Sequence, residues 1–295
     1  MDLFASTVSF CNSYPRLIHV VWLNFQPDRP ARALDAEQLR MVYSWRFFNP
    51  AWRLLVWRDA EVDALLLGRP AWRARYMVLE PGAQRADFAR LAILYEHGGL
   101  YVDVDMLCLR AIDEEVMRLR PLACYMVDDY GADRELPPVA TLMYGGTKTN
   151  NNVILSVAGK LFMRLMLDNA PEVNGMANQE MDVVMAYGPF ALQRLRDSVA
   201  WETFLDLPGE WNAFRNTSHK GASLRTLVWL YENGDWLRFM LQQHGAQNAV
   251  CVHFHESSWV QDKETLWRDV RSYYVWSSSG MVLTAVMLAV MAAVV

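Results

Sequence analysis

An open, mainly parallel α/β sheet flanked by helices is the fold class this sequence predicts. Three observations predict it. Up to Leu109, β-rich runs alternate with helical runs, which is the pattern that crossover units of a parallel sheet produce. The spacing of apolar residues switches between strand and helix periods from one run to the next. The composition, 53% hydrophobic and 21% charged over 295 residues, supports a large core and excludes a mostly disordered chain.

The elements follow in order. "RLIHVVWLN" (Arg16 to Asn24) is a first strand. "DAEQLRMVYSWRFFNP" reads as a helix, with Asp35 as its cap and Asn49-Pro50 as its stop. "WRLLVWRD" is a second strand, and "DAEVDALLLG" is a short helix ending at Gly68. "GAQRADFARLAILYEHGG" is a strong helix: Ala86, Ala89, Leu91, Ile93 and Leu94 supply its apolar stripe and Gly98 its stop. "LYVDVDMLCL" is read as one further strand. Beyond it the sequence predicts a strand at "PPVATLMYG", helices at Leu155 to Leu167 and at Asn178 to Ala186, and a loop-rich stretch from Leu207 to Gly221. That stretch holds a sequon at Asn216, to which little weight attaches.

The tail is different in kind. "MVLTAVMLAVMAAVV", Met281 to Val295, carries no charge. As a helix it reaches about 22 Å, against a hydrocarbon core of about 30 Å. Adding Trp276 to Gly280 brings it near spanning length, with Tyr273, Tyr274 and Trp276 as an aromatic belt. The expected organisation is therefore one domain over residues 1–275 and a C-terminal transmembrane anchor over 276–295, single-pass and membrane-associated. A buried terminal helix and one half of an inserted hairpin are the competing readings. The N-terminus lacks the pattern of a signal peptide. The net charge of -5 comes without clustered Lys and Arg, so no nucleic-acid partner is expected. Cys11, Cys108, Cys124 and Cys251 form no CxxC motif and read as buried thiols.

Within "HGGLYVDVDM", Asp103 and Asp105 are two residues apart. On a regular strand they share one face. Adjacent carboxylates repel unless a cation stands beside them, and Mn²⁺ or Mg²⁺ accepts carboxylate and phosphate oxygens together. Alone the pair is a weak signal.

Its context is stronger. The run "AQRADFARLAILYEHGGLYVDVDM" resembles the signature block of the family 32 glycosyltransferases, R-A-D-x-x-R followed by L-Y-x-x-G-G-x-Y-x-D-x-D. The matching residues are Arg85, Asp87, Arg90, Leu94, Tyr95, Gly98, Gly99, Tyr101, Asp103 and Asp105. "YPRLIHVVW", "FFNPAWRLLVWRD", "YGPFAL" and "VHFHESSWVQDKE" resemble further blocks of the family, in family order. Tyr14 replaces the usual apolar residue before Pro15, and Glu256 stands where glycine is common. "QRAD" and "SSW" look most like the fungal inositol phosphoceramide mannosyltransferases.

The resemblance implies a GT-A type fold and metal-dependent, retaining transfer of a hexose from a nucleotide sugar. GDP-mannose is the favoured donor, with UDP-hexoses open. The acceptor would be a lipid or glycan, such as an inositol phosphoceramide-like sphingolipid, and the setting a Golgi- or ER-type endomembrane if the source is eukaryotic. Trp22 would stack on the base. Asp87 and Arg90, three apart on one helix face, would lie near the donor sugar and phosphates. Asp105 would ligate Mn²⁺ (or Mg²⁺) directly, Asp103 would support it or hold the ribose, and Tyr101 would bond the diphosphate. Asn151 and Asn152, in a "TKTNNN" loop, would lie near the hexose. His253 or His255, with Ser257, would complete the metal shell, and Trp259 would donate its N–H to a phosphate. The sequence leaves the choice of histidine open. A rival zinc site of Cys251, His253 and His255 lacks a fourth ligand. The alternative to an enzyme is a protein that holds a sugar nucleotide or glycan without turnover, but every expected polar residue is present.

Overall fold

The structure, a computed structural model, describes residues 14–24, 32–79, 82–119, 124–128, 149–169, 187–188, 191–192, 195, 205–207, 211–213 and 249–253. All fall within one compact unit, Met1–Glu256.

The chain enters through β1 (Leu17–Val21), crosses by α1 (Ala36–Phe48) to β2 (Arg53–Trp57), and continues through α2 (Asp59–Leu67), α3 (Pro70–Val78) and α4 (Ala83–His97) to β3 (Gly99–Val102). There follow β4 (Met106–Cys108), α5 (Asp113–Arg118), β5 (Tyr125–Asp128), β6 (Thr149–Ser156), α6 (Leu161–Asn169), β7 (Leu205–Asp206), β8 (Asn212–Ala213) and β9 (Cys251–His253). A six-stranded sheet has the order β2-β1-β3-β6-β5-β7, and a three-stranded sheet the order β4-β9-β8. In the larger sheet β1 pairs parallel with β2 and β3, and β5 parallel with β7. β6 runs antiparallel to both its neighbours, β3 and β5. The sheet is thus mixed: one reversed strand lies inside an otherwise co-directional set, where the sequence suggested only a parallel bias.

Strand alternation builds two cores from this sheet. Val21, Leu23, Tyr101, Met126 and Ile154 face α4 and α6. Ile18, Val20, Leu100, Val102, Val153 and Leu155 face the other way, into a core with Val42 and Trp45 of α1 and Met106, Cys108 and Cys251 of the small sheet. A sheet buried on both faces explains why β1 is apolar at every position but His19 rather than alternating. The same burial governs α4, where every residue from Asp87 to Leu94 is buried. A helix enclosed on all sides normally carries no charge, so Asp87 and Arg90 need partners inside.

α4 passes into β3 with no connecting loop. Gly98 (φ 63°) and Gly99 (φ 95°) make the reversal in the left-handed region. A Cβ on Gly99 would lie 2.6 Å from the Leu17 carbonyl oxygen, so the close approach of β3 to β1 also requires glycine.

Three readings of the sequence change. "LYVDVDMLCL" is two strands in two sheets, broken at Asp103–Asp105, where the Met106 N–H closes a turn on the Asp103 carbonyl at 3.2 Å. "TKTNNN" is no simple loop, since Thr149 to Asn152 open β6. The helix expected from Leu155 begins only at Leu161, because Leu155 is a strand residue paired with Leu100 and Tyr125. α3, α5 and β5 were not anticipated. The "PPVATLMYG" strand, the 178–186 helix, Asn216 and the tail helix lie outside the described residues, as does the boundary at 275/276. Among the described residues no helix is long and apolar enough to cross a membrane.

Candidate active site

The turn after β3 is what assembles the site. Asp103 ends the large sheet, Val104 and Asp105 turn, and β4 departs into the small sheet. There Met106 pairs with His253 across the antiparallel β4–β9 ladder. The imidazole therefore arrives beside Asp105, with Nε2 3.3 Å from Asp105 Oδ1. One ligand atom from each of Asp103, Asp105 and His253 can be chosen so that all three lie within 4.8 Å of one another. The two aspartates converge through this turn, and not by sharing the face of a straight strand.

Behind the cluster lies Arg90. Its guanidinium meets Asp87 Oδ1 at 2.7 Å and Asp103 Oδ1 at 3.2 Å, and donates to the Asn151 carbonyl at 2.7 Å. It also stands 4.6 Å from the centroid of the Tyr101 ring. Asn151 Nδ2 donates to Asp87 Oδ1 at 2.9 Å, and the Tyr101 hydroxyl donates to Asp103 Oδ1 at 2.6 Å. Burial pushes the Asp87 carboxyl up to about 6, although Arg90 and Asn151 pull it down. Burial likewise raises Asp103 against the pull of Arg90, and drives the Tyr101 phenol well above its usual value. Burial works against the Arg90 charge, yet Asp103, Tyr101 and Asp87 around it raise its pKa. The guanidinium is permanently charged and fixed.

Two carboxylates, Asp87 and Asp103, contact the guanidinium, and the charge of Asp105 acts on it as well. With those groups ionised and His253 neutral, the cluster carries a formal excess of two negative charges. Two carboxylates and an imidazole within reach of one point are a donor set that Mn²⁺ or Mg²⁺ fits. Asp103 serves Arg90 and Tyr101 through Oδ1, and Asp105 meets His253 through its own Oδ1. The buried side-chain oxygen of Asn152 has no hydrogen-bond partner among the described residues, and that residue touches His253: Asn152 Nδ2 is 2.8 Å from His253 Nδ1.

Eight expected site residues meet here: Asp87, Arg90, Tyr101, Asp103, Asp105, Asn151, Asn152 and His253. Three of them do something other than expected. The Tyr101 hydroxyl holds Asp103 instead of facing outward to a diphosphate. Asn151 holds Asp87, and Asn152 holds His253. Trp22 stands apart. It is 4% exposed within the second core, its indole N–H donates to the Arg32 carbonyl at 2.8 Å, and the Arg32 guanidinium lies 5.9 Å from its ring centroid. A base could reach that ring only if Arg32 moved away. His255, Ser257 and Trp259 lie outside the described residues. The rival zinc reading fails at Cys251, whose buried thiol donates to the Trp211 carbonyl at 2.9 Å and is raised well above its usual value by burial. Two contributors had no sequence signal at all, because they are main-chain: the Asn151 carbonyl that receives Arg90, and the Asn152 carbonyl that receives the Asp103 N–H at 2.9 Å.

Comparison with known proteins agrees with this geometry. Residues 35–121 match the family described as glycosyltransferase sugar-binding region containing DXD motif. An uncharacterized glycosyltransferase, L373, of Acanthamoeba polyphaga mimivirus is 28% identical over 102 residues, covering 34% of this chain and 39% of that protein. Inositol phosphoceramide mannosyltransferase 3 of Schizosaccharomyces pombe is 24% identical over 196 residues, covering 66% and 46%. The matched regions span less than half the length of either relative. Among solved structures, the UDP-bound glycosyltransferase domain from the YGT toxin gives a TM-score of 0.46 at 9% identity, covering 72% of this chain and 82% of that one.

Proposed function

We propose that this chain is a metal-dependent, retaining glycosyltransferase of the GT-A type that moves a hexose from a nucleotide sugar to a lipid or glycan acceptor. The observation that carries the proposal is the convergence of Asp103, Asp105 and His253 from two sheets, backed by Arg90 and Asp87, inside the region that matches the DXD family. Asp105 and His253 would hold Mn²⁺ or Mg²⁺ with support from Asp103. When bound, the cation supplies charge neutralisation to the departing nucleoside diphosphate.

The chain's own residues do the rest. Arg90 fixes Asp87 and Asp103 in one arrangement, so these carboxylates need no reorganisation when a donor arrives. Asp87, held on Oδ1 by Arg90 and Asn151, would receive hexose hydroxyls in this reading. No described side chain stands as an evident nucleophile, and attack by the acceptor hydroxyl on the face from which the diphosphate leaves needs none. The name of the fungal relative supports mannose as the transferred sugar and an inositol phosphoceramide-like sphingolipid as acceptor, and GDP-mannose is the donor that the sequence resemblance implies. The apolar tail, 276–295, supports attachment to an endomembrane.

The test is a donor panel. UDP- and GDP-sugars are incubated with the full chain and Mn²⁺, and hydrolysis or transfer is scored against Asp105→Asn. One donor should turn over, and Asp105→Asn should lose at least about 100-fold, the scale on which preorganised electrostatic groups act. Turnover at the wild-type rate in Asp105→Asn would sink the assignment.

A further inference from the structure

We infer that Asn152 is a positioning residue for the cation site: it sets which ring nitrogen of His253 carries the proton, and its amide turns over when a divalent cation binds. This rests on the metal reading above and goes beyond it.

The geometry confines the possibilities. Asn152 is fully buried on β6. Its backbone carbonyl holds the Asp103 N–H, and its side chain faces His253 Nδ1 at 2.8 Å. One residue thus touches both arms of the Asp103–Asp105–His253 cluster. With Nδ2 toward the ring, the amide donates to the Nδ1 lone pair, so the ring proton sits on Nε2, facing Asp105 Oδ1 at 3.3 Å. A protonated Nε2 cannot bind a cation. A ring that ligates through Nε2 must carry its proton on Nδ1 and give it to an acceptor. Asn152 Oδ1 is an acceptor of that kind, buried and without a partner among the described residues. Turning the amide by half a rotation occupies the same volume and presents Oδ1 to Nδ1–H.

The exchange is balanced. The ring stays neutral, giving the Nε2 proton to solvent and taking one at Nδ1. Either amide orientation leaves one amide atom without a partner among the described residues, so the amide alone decides little. The cation decides, by claiming the Nε2 lone pair. An apolar residue at 152 supplies neither orientation. An aspartate there can only accept, and fixes the Nδ1–H form with or without cation.

The experiment has two readouts that do not need turnover. ¹⁵N-histidine NMR on the full chain, with His253 assigned by its loss in His253→Ala, reports the tautomer without metal and with Mg²⁺. The expected result is Nε2–H without metal, Nδ1–H with Mg²⁺, and Nδ1–H throughout in Asn152→Asp. An unchanged tautomer on adding Mg²⁺ overturns the inference. Mn²⁺ affinity is then read from the EPR signal of the free ion. Asn152→Leu should weaken it roughly 10- to 100-fold, the range for partners that orient a ligating histidine, and should add nothing in a His253→Ala background. Wild-type affinity in Asn152→Leu, or equal losses in both backgrounds, overturns the inference. Should Asn152→Leu not fold, the Asn152→Asp tautomer decides. Mn²⁺ binding that is absent from wild type and Asp105→Asn alike removes the metal reading itself. Binding lost only in Asp105→Asn keeps that reading and removes the role of Asn152.

Discussion

His253 Nε2 stands 3.3 Å from Asp105 Oδ1 although the two residues belong to strands far apart in sequence. The β4–β9 ladder makes this possible by pairing His253 with Met106, the residue after Asp105. A cation held by Asp103, Asp105 and His253 would therefore bind across the junction between the end of the large sheet and the small one.

It follows that divalent cation should stabilise the fold. A ligand that binds only the native state at ten times its Kd adds about 1.4 kcal/mol, and for a domain of this size each kcal/mol moves Tm by roughly 2–4 °C. Mn²⁺ should raise the wild-type Tm by a few degrees, EDTA should reverse the rise, and His253→Ala should show little of it. Differential scanning fluorimetry reads all three. An equal shift in His253→Ala would place the cation elsewhere.

Arg90 is the group whose loss the site tolerates least. Its guanidinium serves Asp87, Asp103 and the Asn151 carbonyl at once. Arg90→Met would leave Asp87 and Asp103 buried without their counter-charge, a change that typically destabilises by about 3–5 kcal/mol. Arg90→Lys restores the charge but not the planar fork, since one ammonium cannot reach three partners in that arrangement. Urea unfolding should rank wild type above Arg90→Lys and Arg90→Lys above Arg90→Met. Donor turnover should fall at least about tenfold even in Arg90→Lys. A lysine variant of full stability and full activity would contradict the bridging role.

How much of this was legible in the sequence depends on the range of the interaction. Asp87 and Arg90, three apart on a helix, are local, and periodicity places them together. The pairing of Asp103 with Asp105 is local too, although alternation suggests a shared strand face and a turn does the work instead. Placing His253 beside Asp105 needs the β4–β9 register, a long-range fact that strand patterns do not carry. For Trp22, a tryptophan at a strand end reads as a stacking platform, and the position of Arg32 5.9 Å from its ring centroid is a detail of chain path that the strand pattern does not carry. The direction of β6 was invisible because a side-chain pattern does not record which way a strand runs against its neighbours.

A second buried group makes a pH prediction. His19, fully buried in β1, sits 2.8 Å from the Gly98 carbonyl through Nε2 and accepts the Trp57 indole N–H on Nδ1 at 3.0 Å. This fixes the neutral ring with its proton on Nε2. Burial lowers its pKa to about 4 from 6.5, with His97 adding to the depression and the Gly98 carbonyl opposing it. The unfolded chain binds the proton below about 6.5 and the folded chain only near 4, so U binds more protons between those values and stability rises with pH there. The contribution is full above about pH 6.5 and is lost as pH falls toward 4, by up to about 3 kcal/mol. Urea unfolding of wild type and His19→Gln across pH 4–8 should show the difference in stability shrinking toward acid. Parallel curves would show that His19 titrates alike in the folded and unfolded chain.

The reversal that aims β3 at the site makes the last prediction. Gly99 has φ 95°, and a Cβ there would come within 2.6 Å of the Leu17 carbonyl oxygen and 3.0 Å of Leu17 Cβ. Both obstacles belong to β1, whose Ile18 and His19 pair with Leu100 and Tyr101. Neither can yield without separating two central strands. Gly99→Ala therefore combines left-handed strain of about 1–3 kcal/mol with a backbone clash, and should destabilise by about 3 kcal/mol or more. Gly68 is the internal control. It ends α2 at φ -75°, and a Cβ there meets nothing within 4 Å. Gly68→Ala should be neutral or stabilising by about 0.4–1 kcal/mol, because it reduces only the freedom of the unfolded chain. Urea denaturation midpoints of the two variants should move in opposite directions, or Gly99→Ala alone should move. Equal behaviour of both would mean that the tight β1–β3 approach does not constrain the turn into Asp103.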